Sequence, residues 1–196
     1  INISKKKKIA FIPARAGSKR FPKKNIAKFL DKPLLSYPIV EAIKSSLFDR
    51  VIVSSDDQFI NKIAEKYGAK TVLRSKKNST NSAHELDACR EYFNKNLIKG
   101  IKVPEYFCLI YPTAILLKAE DFKKSYKIFE LKKQIDVVMG VSKFNYHPYK
   151  ALRNKKNGML EPFFKDKHNI RSQFYEEMYA SNGTLYWHKT KSFLEK

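Results

Sequence analysis

The sequence predicts an open α/β fold, a mostly parallel sheet covered by helices on both faces. Three observations carry this prediction. Short apolar runs alternate with stretches of helical periodicity from residue 8 to residue 141. The runs read as buried strands, since a strand covered on both faces is apolar throughout rather than alternating. Finally, 196 residues with 43% hydrophobic content suffice for one globular domain whose core needs no disulfides.

Residues 8–14 form the first strand, an apolar run closed by Pro13, and 15–33 form a long loop rich in lysine, glycine and proline. A helix is expected over 36–45, with Ile39, Ile43 and Leu47 on one face and Pro38 in its first turn. Residues 50–54 are the second strand. Asp56 or Asp57 caps the next helix, which carries Phe59/Ile60, Ile63, Ala64 and Tyr67 and ends at Gly68. A short strand at 71–73 follows. Ser82-Ala83-His84-Glu85 has capping-box spacing ahead of a helix reaching Tyr92 and Phe93. Residues 106–111 are a strand, 118–131 a helix presenting Phe122, Tyr126 and Phe129, and 137–141 another strand. The alternation implies a Rossmann-like arrangement.

After Ser142 the rhythm changes. Residues 151–153 and 159–164 flank a turn at 154–158 and predict a hairpin; 165–180 are polar and aromatic, 184–187 form a last strand, and 189–196 begin a helix. Residues 142–180 are expected to form a hairpin arm that builds a homodimer, because their aromatics exceed what one peripheral hairpin hides. The chain starts without methionine and stops after one helical turn, so a longer C-terminal end is expected.

The net charge of +21 would suit a basic nucleic-acid-binding protein, the alternative from a different class. The lysines are spread along the chain, however, with no stacking platform, helix-turn-helix or zinc-finger spacing beside them. Attraction of anionic nucleotides and sugar acids is the better use of such a field. Cys89 and Cys108 form no framework and read as core residues of a reducing, cytoplasmic protein. No run reaches the roughly 18 apolar residues of a membrane span, so neither membrane nor nucleic acid is an expected partner. His84, His147, His168 and His188 lack metal-binding spacing and are expected at the surface.

The sharpest feature is the segment Ile12-Pro13-Ala14-Arg15-Ala16-Gly17-Ser18-Lys19-Arg20-Phe21-Pro22-Lys23-Lys24-Asn25. It leaves the first strand at the sheet edge where open α/β folds place ligands. Small residues let backbone N–H groups approach a phosphate, and Arg15, Lys19 and Lys23 can neutralise a triphosphate and its leaving pyrophosphate. It is neither a Walker A loop nor GxGxxG.

This loop resembles the signature loop of the CMP-sugar-acid cytidylyltransferases. Similar to that family, and in its order, are also Lys32-Pro33-Leu34, Phe48 through Asp57, Lys66-Tyr67-Gly68-Ala69, Arg74, Tyr111-Pro112-Thr113-Ala114, Arg171-Ser172-Gln173 and Asn182-Gly183-Thr184-Leu185-Tyr186-Trp187. Tyr111 and the Arg171-Ser172-Gln173…Glu176-Glu177 spacing lean toward the pseudaminate branch, whereas Ser181-Asn182-Gly183 is more like the sialate branch. The resemblance implies a nucleotide-diphospho-sugar transferase type of fold and transfer of CMP from CTP to a nonulosonic acid. Pseudaminate is the expected acceptor, with N-acetylneuraminate or legionaminate as alternatives. It implies that Arg15 and Lys19 serve catalysis, that Ser18 and Lys23 surround the phosphates, and that Ala14 and Ala16 meet base or ribose through backbone groups. It further places Arg74, Ser82 and Thr113 near the nucleotide, sets Gln173 and Asn182 toward the sugar, and implies a homodimer and Mg²⁺. The metal ligands stay unassigned. Asp56 or Asp57 can hold Mg²⁺ through water or simply cap a helix, and the general base is open.

Overall fold

The computed structural model describes residues 7–17 and 21–195. Ser18 and Lys19 therefore lie outside the described residues. The chain divides into two compact units, one running to Met139 and resuming at Gly183, the other spanning Gly140–Asn182.

In the first unit β1 (Lys8–Pro13) is buried along its whole length. A two-stranded ribbon, β2 (Lys28–Phe29) and β3 (Lys32–Pro33), follows inside the segment expected to be loop. Its turn residues Leu30 and Asp31 have φ of 44° and 63°. Two positive values make a turn of the primed kind, whose usual sequence signal is Asn-Gly; Leu-Asp conceals it. Helix α1 (Ser36–Lys44) comes next, then β4 (Arg50–Ser55), α2 (Gln58–Lys66) and β5 (Lys70–Leu73). They are followed by α3 (Glu85–Ile98), β6 (Tyr106–Ile110), α4 (Ala119–Leu131) and β7 (Val137–Lys143).

The main sheet has the order β5-β4-β1-β6-β10-β7, where β10 is Tyr179–Lys189. Strands β4 and β6 both pair in parallel with β1, β5 pairs in parallel with β4, and β10 pairs antiparallel with β6. The sheet is thus mostly parallel, as the alternation predicts. Alternate residues of β1 serve two cores. Ala10 and Ile12 pack with Leu35, Ile39 and Ala42, with Ile60 and Ala64, and with Phe122, Tyr126 and Phe129. Ile9 and Phe11 pack on the other face with Ala88, Cys89 and Phe93 of α3 and with Phe193 of α6 (Thr190–Glu195). Helices α1, α2 and α4 cover one face; α3 and α6 cover the other.

Several local expectations are corrected. Ile43 is 44% exposed, and α1 buries Pro38, Ile39 and Ala42 instead. Phe59 faces solvent, while Ile60 is buried. The cap of α3 is His84, not Ser82: its Nδ1 accepts from the Leu86 N–H at 3.2 Å, and its own N–H donates to Asp87 Oδ2 at 2.9 Å. An imidazole lone pair fills the role that a serine oxygen usually takes. His188 is buried rather than at the surface, stacked on Phe107 at 4.9 Å. Strand β10 continues to Lys189, so its successive residues Trp187 and His188 enter opposite cores. Cys89 and Cys108 are buried in those cores, and burial pushes both thiols well above their usual range.

In the second unit β8 (Leu152–Asn154) pairs antiparallel with β9 (Leu160–Pro162). A short helix α5 (Lys165–His168) and a turn at Ser172–Phe174 follow. His147 stacks on Tyr175 at 4.3 Å, and Tyr149 sits edge-on to Phe164. Lys150 Nζ donates to the carbonyl of Ile170 at 2.9 Å, tying the segment before β8 to the chain that follows α5.

Candidate active site

Parallel strands β5, β1 and β6 run in one sheet, and the chain leaving each contributes to one cleft of about 640 Å³. That volume falls within the range of small-molecule sites. After β1 the chain is fixed by backbone and side-chain bonds. The Ala14 N–H donates to Ser54 O at 2.8 Å and the Ala16 N–H to Asp56 Oδ1 at 2.9 Å. Buried Asn25 closes the far end of the loop by donating from Nδ2 to the Arg15 carbonyl at 2.8 Å.

Arg15 lines the cleft, with Nη1 donating to Thr80 O at 2.8 Å and Asn81 Oδ1 at 3.0 Å. Arg74 lines it too, at 6% exposure, with Nη2 on Ser54 O at 3.1 Å. Burial pulls the Arg74 pKa below its ordinary value, opposed mainly by the charge of Asp56. An arginine remains protonated at neutral pH all the same. Together with Lys24 these residues give the cleft a cationic wall. Phosphate oxygens are a natural complement to such a wall.

Other lining residues differ in character. Glu85, the first residue of α3, and Tyr111, just past β6, both line the cleft. Burial, then the neighbouring Glu85 and Tyr186, push the Tyr111 phenol up to about 12. Its ring lies 5.8 Å from that of Tyr186, and its N–H donates to Thr184 O at 2.9 Å. Pro112 and Thr113 line the cleft as well.

Of the residues singled out in the sequence, Arg15, Arg74 and Thr113 line the cleft. The N–H groups of Ala14 and Ala16 are engaged within the protein, so a backbone contact from either to a ligand would use its carbonyl. Exposed Lys23 has φ of 54° and precedes the turn Lys24–Ile26; its neighbour Lys24 lines the cleft. Ser82 lines a shallower depression with Lys77 and Arg90, its hydroxyl 3.2 Å from Thr80 Oγ1. Gln173 and Asn182 belong to the second unit, both exposed. Asp57 caps α2, its Oδ1 accepting from Phe59 N at 2.6 Å, which leaves Asp56 as the aspartate facing the loop.

Glu85, Asn25, Phe21 and Asn81 were given no role by the sequence reading yet line the cleft. Asn25 stood within the quoted loop motif, and Glu85 showed only as a helix start. Among the described residues no three His, Cys, Asp or Glu side chains converge on a metal position. Mg²⁺ asks for little from a protein, taking one or two carboxylates besides phosphate oxygens and water.

Comparison with known proteins places these features in context. A family described as cytidylyltransferase matches residues 9–191. The pseudaminic acid cytidylyltransferase of Campylobacter jejuni is 34% identical over 190 residues, covering 97% of this chain and 82% of that protein. The N-acylneuraminate cytidylyltransferase of Escherichia coli is 34% identical over 137 residues, 70% of this chain and 32% of the relative. Among solved structures, a CMP:2-keto-3-deoxy-manno-octonic acid synthetase complexed with CTP superposes with a TM-score of 0.71 at 16% identity. That match covers 95% of this chain and 76% of the other, a likeness of fold.

Proposed function

The chain belongs to the cytidylyltransferase family, and on that premise we propose that it transfers CMP from CTP to a nine-carbon 2-keto sugar acid, pseudaminic acid being the preferred acceptor. The observation that carries the reading is the set of cations Arg15, Lys24 and Arg74 lining one cleft. The anomeric hydroxyl of the sugar attacks the α-phosphorus of CTP. A new P–O bond forms, the bond to the β-phosphate oxygen breaks, and pyrophosphate leaves while the hydroxyl gives up its proton. Arg15 and Lys19 offset charge on the phosphoryl oxygens, and the loop held by Asn25 keeps the nucleotide in line. No covalent enzyme intermediate is needed.

Mg²⁺ belongs to the proposal; when bound with the triphosphate it supplies Lewis-acid stabilisation of the developing charge. Asp56 is the carboxylate that fits it, reaching the loop at Ala16 and retaining a second oxygen. Gln173 and Asn182 are proposed to read the sugar, and amide side chains suit hydroxyl and N-acyl groups. The choice of pseudaminate is supported by the Campylobacter relative, and the Escherichia relative keeps N-acylneuraminate as the alternative acceptor.

The test is pyrophosphate release with CTP, Mg²⁺ and each sugar acid at matched concentration. Release with pseudaminate at the highest kcat/KM is expected. A higher value for N-acetylneuraminate or legionaminate replaces the acceptor, and release with no sugar acid overturns the reaction. Lys19→Ala should lower kcat/KM by about 100- to 1,000-fold, the scale of losing one preorganised donor.

A further inference from the structure

Glu91 stands on α3, outside the described lining of the cleft, and its carboxylate collects donors from Ser75, Asn78 and Lys95. Oε1 accepts from the Ser75 N–H at 3.2 Å, and Oε2 accepts from Ser75 Oγ at 2.9 Å and Asn78 Nδ2 at 2.7 Å. The side chain is only 14% exposed. Burial alone would raise its pKa, yet the bonds from Lys95, Asn78 and Ser75 hold the carboxyl below its ordinary value. Its platform is firm, because Ala88, Cys89 and Phe93 of the same helix are buried in the core.

These bonds fix the chain that leaves β5. The turn Lys77–Ser79 is closed by the Asn78 N–H on Ser75 O at 3.2 Å and by Ser79 Oγ on the same carbonyl at 2.8 Å. The next two residues, Thr80 and Asn81, accept from Arg15 Nη1 through a carbonyl and a side-chain oxygen. A continuous path thus runs from a helix carboxylate, through residues 75–81, to a cation of the cleft. A guanidinium has five N–H donors, so the two spent on this segment leave others for phosphate. Arg74, which precedes the segment, is held separately by Ser54 O and Ser55 O.

On the reading above, in which Arg15 meets the CTP phosphates, we propose that Glu91 is its positioning residue. Through Ser75 and Asn78 it sets the place of Thr80 and Asn81, and these aim the Arg15 guanidinium. Charge and position make opposite demands at Glu91. Its negative charge acts on Arg74, so on Coulomb attraction alone its removal would strengthen the hold on a polyanion. Loss of the frame instead misplaces Arg15, and a displacement of about 1 Å costs about 100-fold in rate. The second effect is the larger, so removing an anion here weakens the use of an anionic substrate.

The experiment is pyrophosphate release by the full chain with CTP, Mg²⁺ and whichever sugar acid gives the highest kcat/KM in the test above. The parent is compared with Glu91→Ala, with Ser75→Ala combined with Asn78→Ala, and with Glu91→Ala in an Arg15→Ala background. Melting temperatures check that each is folded, and the Ser75–Asn78 pair removes donors while keeping the carboxylate. Glu91→Ala should lower kcat/KM for CTP by about 10- to 100-fold, leaving KM for the sugar acid unchanged. The Ser75–Asn78 pair should lose activity in the same direction. In the Arg15→Ala background Glu91→Ala should add little, because both changes act on one group. A kcat/KM for CTP at or above the parent's in folded Glu91→Ala, or in the Ser75–Asn78 pair, overturns the inference. So does a loss in the Arg15→Ala background as large as in the parent; either result leaves the cytidylyltransferase reading intact. Arg15→Ala that performs like the parent, or a parent that releases no pyrophosphate, overturns the reading of Arg15 as well.

Discussion

Asn25 Nδ2 donates to the Arg15 carbonyl at 2.8 Å, joining the two ends of the loop that leaves the first strand. Asn25 is 5% exposed, so the bond is shielded from water, and it clasps the segment meant to receive phosphate. Asn25→Ala should cost about 1–2 kcal/mol, the usual range for one lost hydrogen bond with its partner left unsatisfied. In a domain of this size that is a fall in Tm of about 2–8 °C. CTP affinity should fall with it. A variant that melts and binds CTP like the parent shows that the loop holds its shape without this clasp.

Trp187 is the only tryptophan in the sequence and is fully buried, stacked on Phe48 at 5.2 Å. Its Nε1 donates to Ser125 Oγ at 2.9 Å, linking β10 to α4. Ser125→Ala leaves that indole N–H without a partner, at an expected cost of about 1–3 kcal/mol. Tryptophan emission during urea unfolding reads the change directly. An unaltered midpoint with an unaltered slope would show that the bond contributes nothing net.

His188 makes stability depend on pH. Burial lowers its pKa from 6.5 to about 4, and its Nε2 has no partner. The unfolded chain accepts a proton below pH 6.5 that the folded chain refuses until near pH 4. Stability is therefore fully present above the upper value and declines as pH falls through the window, by up to about 3 kcal/mol. His188→Phe, which keeps a ring against Phe107, should flatten that part of the profile. Equal losses between pH 7 and pH 4 in variant and parent, measured by urea titration, would assign the acid sensitivity to other groups.

The unit Gly140–Asn182 leaves Phe144, Tyr146, Phe163 and Phe174 exposed, Tyr146 at 89%. An apolar surface of that kind marks an interface, and we expect a second copy of the chain to cover it. Light scattering over a range of concentrations should give a dimer. Tyr146→Ser with Phe174→Ser should shift the population to monomer with little change in melting temperature measured at low concentration. A parent that is monomeric throughout removes the arm from any role in assembly.

The sequence by itself determined the α/β alternation and the strands within it. Burial on both faces is written locally, as the unbroken apolar runs of Lys8–Pro13 and Tyr106–Ile110. It also gave a cap at Asp56 or Asp57, of which the structure uses Asp57, the positive φ at Gly68 and the core-facing line Phe122, Tyr126 and Phe129, because each is a property of neighbours along the chain. The loop carrying Arg15 was legible for the same reason, whereas Arg74 and Thr113, which follow β5 and β6 and line the same cleft, were singled out only through the family resemblance. Only the tertiary structure decided that β10 enters between β6 and β7, antiparallel to β6, so that Trp187 and His188 pass into separate cores. It alone brought Glu85 to Tyr111 and Asn25 under Arg15. Strand order leaves no trace in local composition. Glu85 and Tyr111, on different crossovers, line one cleft only because parallel strands end together at one edge of the sheet.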